Sequence, residues 1–374
     1  MRRVVAAEGV LGVADAAYCL APSRKKLTSL GCPRTNFRGL AMNTLHRLRS
    51  LLGSAILAGV LAGTALPALA QTPAPNWPTR PIRWILGFAP GGAGDITARL
   101  LAPRLSEALG QTVLIENRPS AGGIVAAEAV ARAEPDGHTL LLVTSTSATA
   151  VAFYRQLSFD TERDFIPVGL ISTFGHVLMV APESPYRDLA SLISAARARP
   201  GALNVASIAV GTAQHLTAEL FRVRAGIETV TVTYRGTPDL MNAVAANEVQ
   251  LGFETLPPVL GLIGPGGRAR ALAIASPTRF AGLPNVPTAE EAGLPGFLAQ
   301  SWNGIQAPAR TPAAVVERLN RELNRILAVP EVSRRLLELG LEPRPGTPGA
   351  LQELLLSDIA LWRGVVADAR IERQ

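Results

Sequence analysis

From Ile82 onward, short apolar runs alternate with polar turns bearing Gly or Pro and with amphipathic stretches. Ile82 to Leu86 reads as a strand that enters the glycine-rich turn Gly87 to Gly94, with a helix predicted over Ile96 to Leu109. Pro103 is expected to kink that helix or move its start. A strand at Thr112 to Glu116, the turn Asn117 to Gly123 and an alanine-rich helix at Ile124 to Arg132 follow, and then a buried strand at His138 to Val143 that ends in the polar string Thr144-Ser145-Thr146-Ser147. A second series starts near His176 to Val180. It continues through helix Leu189 to Ala198, strand Leu203 to Ser207, helix Ala213 to Arg224, strand Thr229 to Tyr234, helix Pro238 to Ala246, and strands Gln250 to Phe253 and Arg270 to Ala275. Past the turn-rich segment Ser276 to Gly296 come a strand at Trp302 to Ala307 and three helices at Pro312 to Leu327, Pro330 to Leu339 and Pro348 to Ala369, each opened by proline.

This rhythm predicts an α/β fold with largely parallel sheets. The two series predict two sheets, with the chain crossing between them near residues 180 and 300. Residues 77–179 and 301–374 would form one lobe and 180–300 the other. Parallel strands present their loops beyond their carboxyl ends. The turns at Ala89 to Gly94, Thr144 to Ser147, Ser207 to Thr212, Tyr234 to Pro238 and Glu254 to Thr255 are therefore expected to meet in one cleft between the lobes.

One apolar run stands outside the rhythm. Leu51 to Ala65 follows the basic residues His46, Arg47 and Arg49 and precedes Ala68-Leu69-Ala70. A membrane span needs roughly 20 predominantly apolar residues, whereas this run is shorter and carries Gly53, Gly59, Gly63 and Thr64. Residues 42–70 thus read as a secretory signal peptide cleaved before Gln71, which places the mature protein in the periplasm. No cysteine follows to carry a lipid anchor. Residues 1–41 are basic and irregular, stand ahead of a complete signal with its own Met42, and read as a non-native upstream extension.

Removal of that forepart changes the charge. The whole chain carries a formal net charge of +7, but nine of its 36 Lys+Arg and two of its 29 Asp+Glu precede Gln71, leaving 27 of each. A balanced chain offers nothing to nucleic acid. Cys19 and Cys32 are the only cysteines and both lie in the forepart, so disulfides, thiolate chemistry and cysteine-bound metals are excluded from the rest. The only lysines are Lys25 and Lys26, which excludes a Walker loop and a Schiff base. Gly92-Ala93-Gly94 continues as Asp95-Ile96-Thr97 and does not make a dinucleotide fingerprint. No cofactor is expected.

A strand, a glycine-rich turn and a helix in sequence aim backbone N–H groups and a positive dipole end at one point, an arrangement suited to a carboxylate. Phe88, Ala89, Gly91, Gly92 and Ala93 are the candidates there. Asp95 is expected to cap the helix, or to accept from an ammonium or hydroxyl of the ligand. Ser145, Thr146 and Ser147 offer hydroxyls. Ser207 and Thr212 flank a turn ahead of His215, which is expected to line the cleft or bond a neighbouring loop. His215 and Glu219 stand four apart, too few ligands for a metal site. Arg235, after Tyr234, can pair with an anion bidentately, and Glu254, on an apolar strand, needs a partner. No G-x-S-x-G elbow, H-E-x-x-H or cysteine nucleophile is present after Gln71. The competing enzymatic arrangement is a secreted α/β hydrolase that sets Ser207 or Ser145 against His215.

Several strings in order carry a resemblance. Phe88-Ala-Pro-Gly-Gly-Ala-Gly-Asp95, Glu116-Asn-Arg-Pro-Ser-Ala-Gly-Gly123, Pro135-Asp-Gly-His-Thr-Leu-Leu141, Gly211-Thr-Ala-Gln-His-Leu216, Tyr234-Arg-Gly236, Leu283-Pro-Asn-Val-Pro-Thr288 and Trp302-Asn-Gly304 resemble the tripartite tricarboxylate transporter substrate-binding family, the Bug receptors. The match extends over residues 77–370. It implies a monomeric periplasmic receptor of the type II, two-lobe (Venus flytrap) fold that closes on a small carboxylate or amino acid and serves a membrane transporter or a sensor kinase. It also implies that Phe88 to Asp95 and Ser145 to Ser147 hold a ligand carboxylate, partly through water, while Ser207, Thr212, His215 and Glu254 read the remainder. The chain departs from the family pattern at Thr144 to Thr149, at Arg235, where lysine is common, and at Glu254, where aspartate is common.

Overall fold

The computed structural model describes residues 76–374 apart from Pro265. The signal peptide and upstream extension read from the sequence lie outside these residues. In chain order the elements are β1 (Ile82–Leu86), α1 (Ala93–Leu109), β2 (Val113–Asn117), α2 (Ile124–Ala131), β3 (Thr139–Thr144), α3 (Ser145–Phe153), β4 (Phe165–Val180), α4 (Leu189–Ala198), β5 (Leu203–Ile208) and α5 (Ala213–Ala225). They continue as β6 (Thr229–Tyr234), α6 (Thr237–Ala245), β7 (Leu251–Thr255), the single turn α7 (Leu256–Val259), β8 (Arg270–Ala275), β9 (Gln300–Pro308), α8 (Ala313–Leu327), α9 (Pro330–Glu338), β10 (Glu342–Pro343) and α10 (Pro348–Asp368).

The strands form one hydrogen-bonded path in the order β2-β1-β3-β9-β4-β7-β5-β6, with β8 and β10 also on β4. β1 is parallel to β2 and β3, and β5 is parallel to β6 and β7. The expectation of largely parallel sheets needs correction at the middle. There β9 runs antiparallel to β3 and β4, and β4 antiparallel to β7 and β8. The long strand β4 makes this junction: Phe165 to Gly175 pair with β9, and from His176 on the strand pairs with β7 and β8. The chain returns at Gln300, which pairs with Gly175.

Burial explains why these segments take these forms. Every residue of β3 is buried, as befits a strand covered on both faces. In α8 the buried residues Val315, Val316, Leu319, Leu323, Ile326 and Leu327 recur every three or four positions and make one apolar stripe. Helix α1 starts three residues earlier than expected and runs unbroken through Pro103. The string after β3 is likewise no loop. Ser145, Thr146 and Ser147 are the first turn of α3, and Thr144 caps it. Helix α10 packs Leu351, Leu355, Ile359 and Trp362 into a cluster shared with Trp302 of β9 and Phe221 of α5. Its end accepts a bond from α5, Arg222 Nη2 to Ala369 O at 3.1 Å, so it spans both halves of the sheet.

Candidate functional site

A cavity of about 530 Å³ opens where the carboxyl ends of β1, β3, β5, β6 and β7 meet. Its wall includes Gly92, Thr144, Thr212 and Gly236, the residues that cap the N-termini of α1, α3, α5 and α6. Each helix start leaves backbone N–H groups without intrahelical partners and carries the positive end of a dipole. Four such ends around one space favour an anion there.

The glycine loop is held by its neighbour. Arg118 N and Ser120 N donate to the carbonyls of Leu86 and Gly87 at 2.8 and 3.3 Å, and Asn117 Nδ2 donates to Phe88 O at 3.0 Å. Gly91 has φ +94, a backbone shape that favours glycine. Its N–H donates to Asp95 Oδ2 at 3.0 Å, and that carboxylate also accepts from Arg99 Nε at 2.9 Å and Asn117 Nδ2 at 3.2 Å. Burial alone would push the Asp95 carboxyl up, but the hydrogen bonds from Arg99, Gly91 and Asn117 outweigh it and hold the group below its usual range. Asp95 is thus neither the cap of α1, which is Gly92, nor a residue of the cavity wall: it braces the loop. Because it consumes the Gly91 N–H, the N–H groups left at the start of α1, ahead of the Ile96 N to Gly92 O bond, are those of Gly92, Ala93, Gly94 and Asp95.

On α3, Thr144 Oγ1 accepts from Thr146 N at 3.2 Å. Ser145 and Thr146 line the cavity, while Ser147 does not. On the second half of the sheet, Thr212 caps α5 and faces the cavity. Ser207 is fully buried, bonds the Ile208 carbonyl at 3.3 Å and stays off the wall. His215 is also off the wall. Its Nδ1 accepts from Gly211 N at 3.4 Å, its ring meets the edge of Phe153, and burial lowers its pKa against the opposing pull of Glu219. Neither Ser145 nor Ser207 bonds His215, so the hydrolase pair is not formed. Glu219 bonds Arg222 and Thr231 instead, and among the described residues no three His, Cys, Asp or Glu groups cluster as a metal site would require.

Tyr234 packs against an apolar cluster, and the next residue, Arg235, lines the cavity and makes no hydrogen bond to the described residues. Glu254, 1% exposed, is on the wall and pairs with no arginine among the described residues. Its carboxylate accepts from Gln214 Nε2 at 2.8 Å, Thr237 Oγ1 at 2.7 Å, Thr255 N at 2.7 Å and Thr255 Oγ1 at 3.0 Å. Phe88, Ala89, Gly91, Gly92, Ala93, Ser145, Thr146, Thr212, Arg235 and Glu254 are therefore brought together, while Asp95, Ser147, Ser207, His215 and Tyr234 stand behind them.

Sequence reasoning missed Gln214, Thr237, Arg268, Ser301 and Asn303, all on the wall. Ser301 and Asn303 carried a readable signal: polar residues two apart on a buried strand share one face. Arg268 follows a glycine-rich turn and had none; its Nη2 donates to Asn242 Oδ1 at 2.7 Å.

An α/β chain whose strands cross between two half-sheets, with a ligand-sized cavity ringed by helix N-termini at the crossing, has the architecture of the two-lobe solute-binding proteins. Residues 97–369 match the tripartite tricarboxylate transporter family receptor. The chain is 38% identical over 317 residues to a UPF0065 protein from the tcbD-tcbE intergenic region of a Pseudomonas species, covering 83% of this chain and 94% of that one. To BugT of Bordetella pertussis it is 35% identical, covering 87% and 98%. An R. palustris structure with adipate superposes with TM-score 0.74 at 35% identity, covering 79% of this chain and 99% of that one. MatC of Rhodopseudomonas palustris with bound malate gives 0.71 at 34% identity, covering 78% and 100%. The chain belongs to the tripartite tricarboxylate transporter receptor family, the family of the Bug proteins, whose fold is that of solute receptors. Among the described residues, no helix is long and apolar enough to cross a membrane.

Proposed function

We propose that this chain is a periplasmic, non-enzymatic receptor that captures a small di- or tricarboxylate or a related acid, as a monomer, and delivers it to the membrane subunits of a tripartite tricarboxylate transporter or to a sensor. The observation that carries the reading is the ring of helix N-termini at Gly92, Thr144, Thr212 and Gly236 around one cavity. One ligand carboxylate sits over the free N–H groups of Gly92 to Gly94. A second faces Arg235 and Arg268, whose guanidinium groups suit carboxylate geometry. The relatives solved with adipate and malate support this ligand class, and the export signal read at residues 42–70 supports the location. Residues 77–179 with 301–374, and residues 180–300, act as the two lobes that close on the ligand.

The test is a thermal-shift screen of the purified protein with malate, succinate, adipate, citrate and glutamate. At 100 times its dissociation constant a ligand adds about 2.7 kcal/mol, so at least one should raise the melting temperature by several degrees. If none does, or if the protein hydrolyses esters and His215→Ala abolishes that turnover, the reading is wrong.

A further inference from the structure

A buried chain of hydrogen bonds runs from the cavity wall into the crossing of the sheet. His176 stands where β4 changes partners and is fully buried. Its Nδ1 lies 2.5 Å from Thr217 Oγ1 on α5, and its Nε2 lies 2.7 Å from Ser301 Oγ on β9. Ser301 Oγ is 2.9 Å from Ser145 Oγ, and both serines line the cavity. Each hydroxyl has one proton to give, and a neutral imidazole has one.

The far end fixes the direction. Thr217 Oγ1 lies 2.7 Å from the Ala213 carbonyl, which can only accept. If Thr217 gave its proton to His176 instead, two bare oxygens would face each other at that distance. Thr217 therefore donates to Ala213 and accepts from His176, which puts the ring proton on Nδ1. The bare Nε2 accepts from Ser301, and Ser301 accepts from Ser145. Burial supports the neutral ring by lowering its pKa from 6.5 to about 3.

We propose that this relay turns Ser145 into an acceptor toward the cavity, so that the ligand atom seated against it is a hydrogen-bond donor, a hydroxyl or ammonium, and not a carboxylate oxygen. His176 touches no ligand; it is a positioning residue that sets what Ser145 can read. The choice of ligand class rests on the carboxylate-receptor reading, whereas the direction of the relay does not.

The direction can be read without ligand. Neutron diffraction from deuterated crystals should show deuterium on His176 Nδ1, none on Nε2, and the Ser145 O–D aimed at Ser301. Deuterium on Nε2, or a Ser145 O–D aimed into the cavity, would overturn the proposal whatever the ligand proves to be. Thr217→Val keeps the side-chain shape and removes the acceptor. In NMR spectra of the histidine ring nitrogens it should switch one ring from the Nδ1–H to the Nε2–H pattern, and an unchanged spectrum would refute the relay. For the ligand, Ser145→Ala is assayed with L-malate and with succinate, which lacks the hydroxyl. The variant should weaken malate about tenfold, the loss of one hydrogen bond, and succinate by no more than about twofold. Equal losses would mean that Ser145 holds a carboxylate, and the proposal would fall.

Discussion

Gly87 and Gly92 share one loop but are required for different reasons. A Cβ on Gly87 would lie 2.6 Å from the Gly123 Cα, backbone against backbone. Gly87→Ala should therefore cost about 1–3 kcal/mol in chemical denaturation. At Gly92 a Cβ meets nothing within 4 Å, so Gly92→Val should fold normally and yet abolish carboxylate binding by blocking close approach to the α1 N-terminus. Arg235→Ala is the contrast, because loss of a charged bond to a buried ligand costs on the order of 2–5 kcal/mol. If calorimetry shows that Arg235→Ala ends binding and Gly92→Val does not, the anion is held from the other half of the sheet. The glycine loop was legible because its composition has few other uses. The role of Asp95 was not: Ala93 and Gly94 disguise the first turn of α1, and a carboxylate at its third position looks like a cap until the helix start is known. A Cβ on Gly94 would come within 2.6 Å of Leu142 Cδ2, so a larger residue there would have to displace the end of that side chain.

At the level of the element, α10 carries a charge on its buried face. Asp358 shares the stripe with Leu351, Leu355, Ile359 and Trp362, and its Oδ2 accepts from Trp302 Nε1 at 2.7 Å. Burial raises its pKa from 3.8 to about 6, and the bond from Trp302 reverses this only in part. Between these values the folded protein keeps a proton that the unfolded chain has lost. The contribution to stability is full below the unfolded value and is lost as pH rises through about 6, at about 1.4 kcal/mol per unit. Asp358→Asn keeps an acceptor for the indole without the charge. Denaturation at pH 7 should find it about 1–3 kcal/mol more stable than the parent, with the gain vanishing below the unfolded value of 3.8. A variant less stable at pH 7 would show that the ionised carboxylate is favourable there. Helices such as α8 and α10 were legible from a proline at the start and an apolar stripe. Helix α3 was not, because seven of its nine residues are buried and a helix covered on all sides has no stripe to find. Most of β4 was hidden for a related reason, since Pro167, Gly169 and Gly175 interrupt its apolar run.

For the whole molecule, the crossing at β4 and β9 is where the two halves pivot if the protein clamps its ligand. Saturation with a ligand found by the thermal screen should reduce the radius of gyration in small-angle scattering and slow tryptic cleavage. If neither changes, and the free protein is not already closed, there is no clamp. The alternation of strand and helix made the α/β class legible, but the antiparallel centre was not, because pairing between distant strands leaves no local pattern. That central pairing also governs the order in which the chain can fold. Leu141 to Thr144 of β3 pair with Asn303 to Gln306 of β9, so this edge of β3 stays bare until the chain has been made as far as Gln306. Pairings so distant form slowly, and an uncovered edge invites association with other chains. A chain that ends before Gln300 should aggregate and not yield a free-standing lobe. For the exported chain proposed above the same delay would be useful, since the pairing of β3 with β9 can form only once Asn303 to Gln306 have emerged.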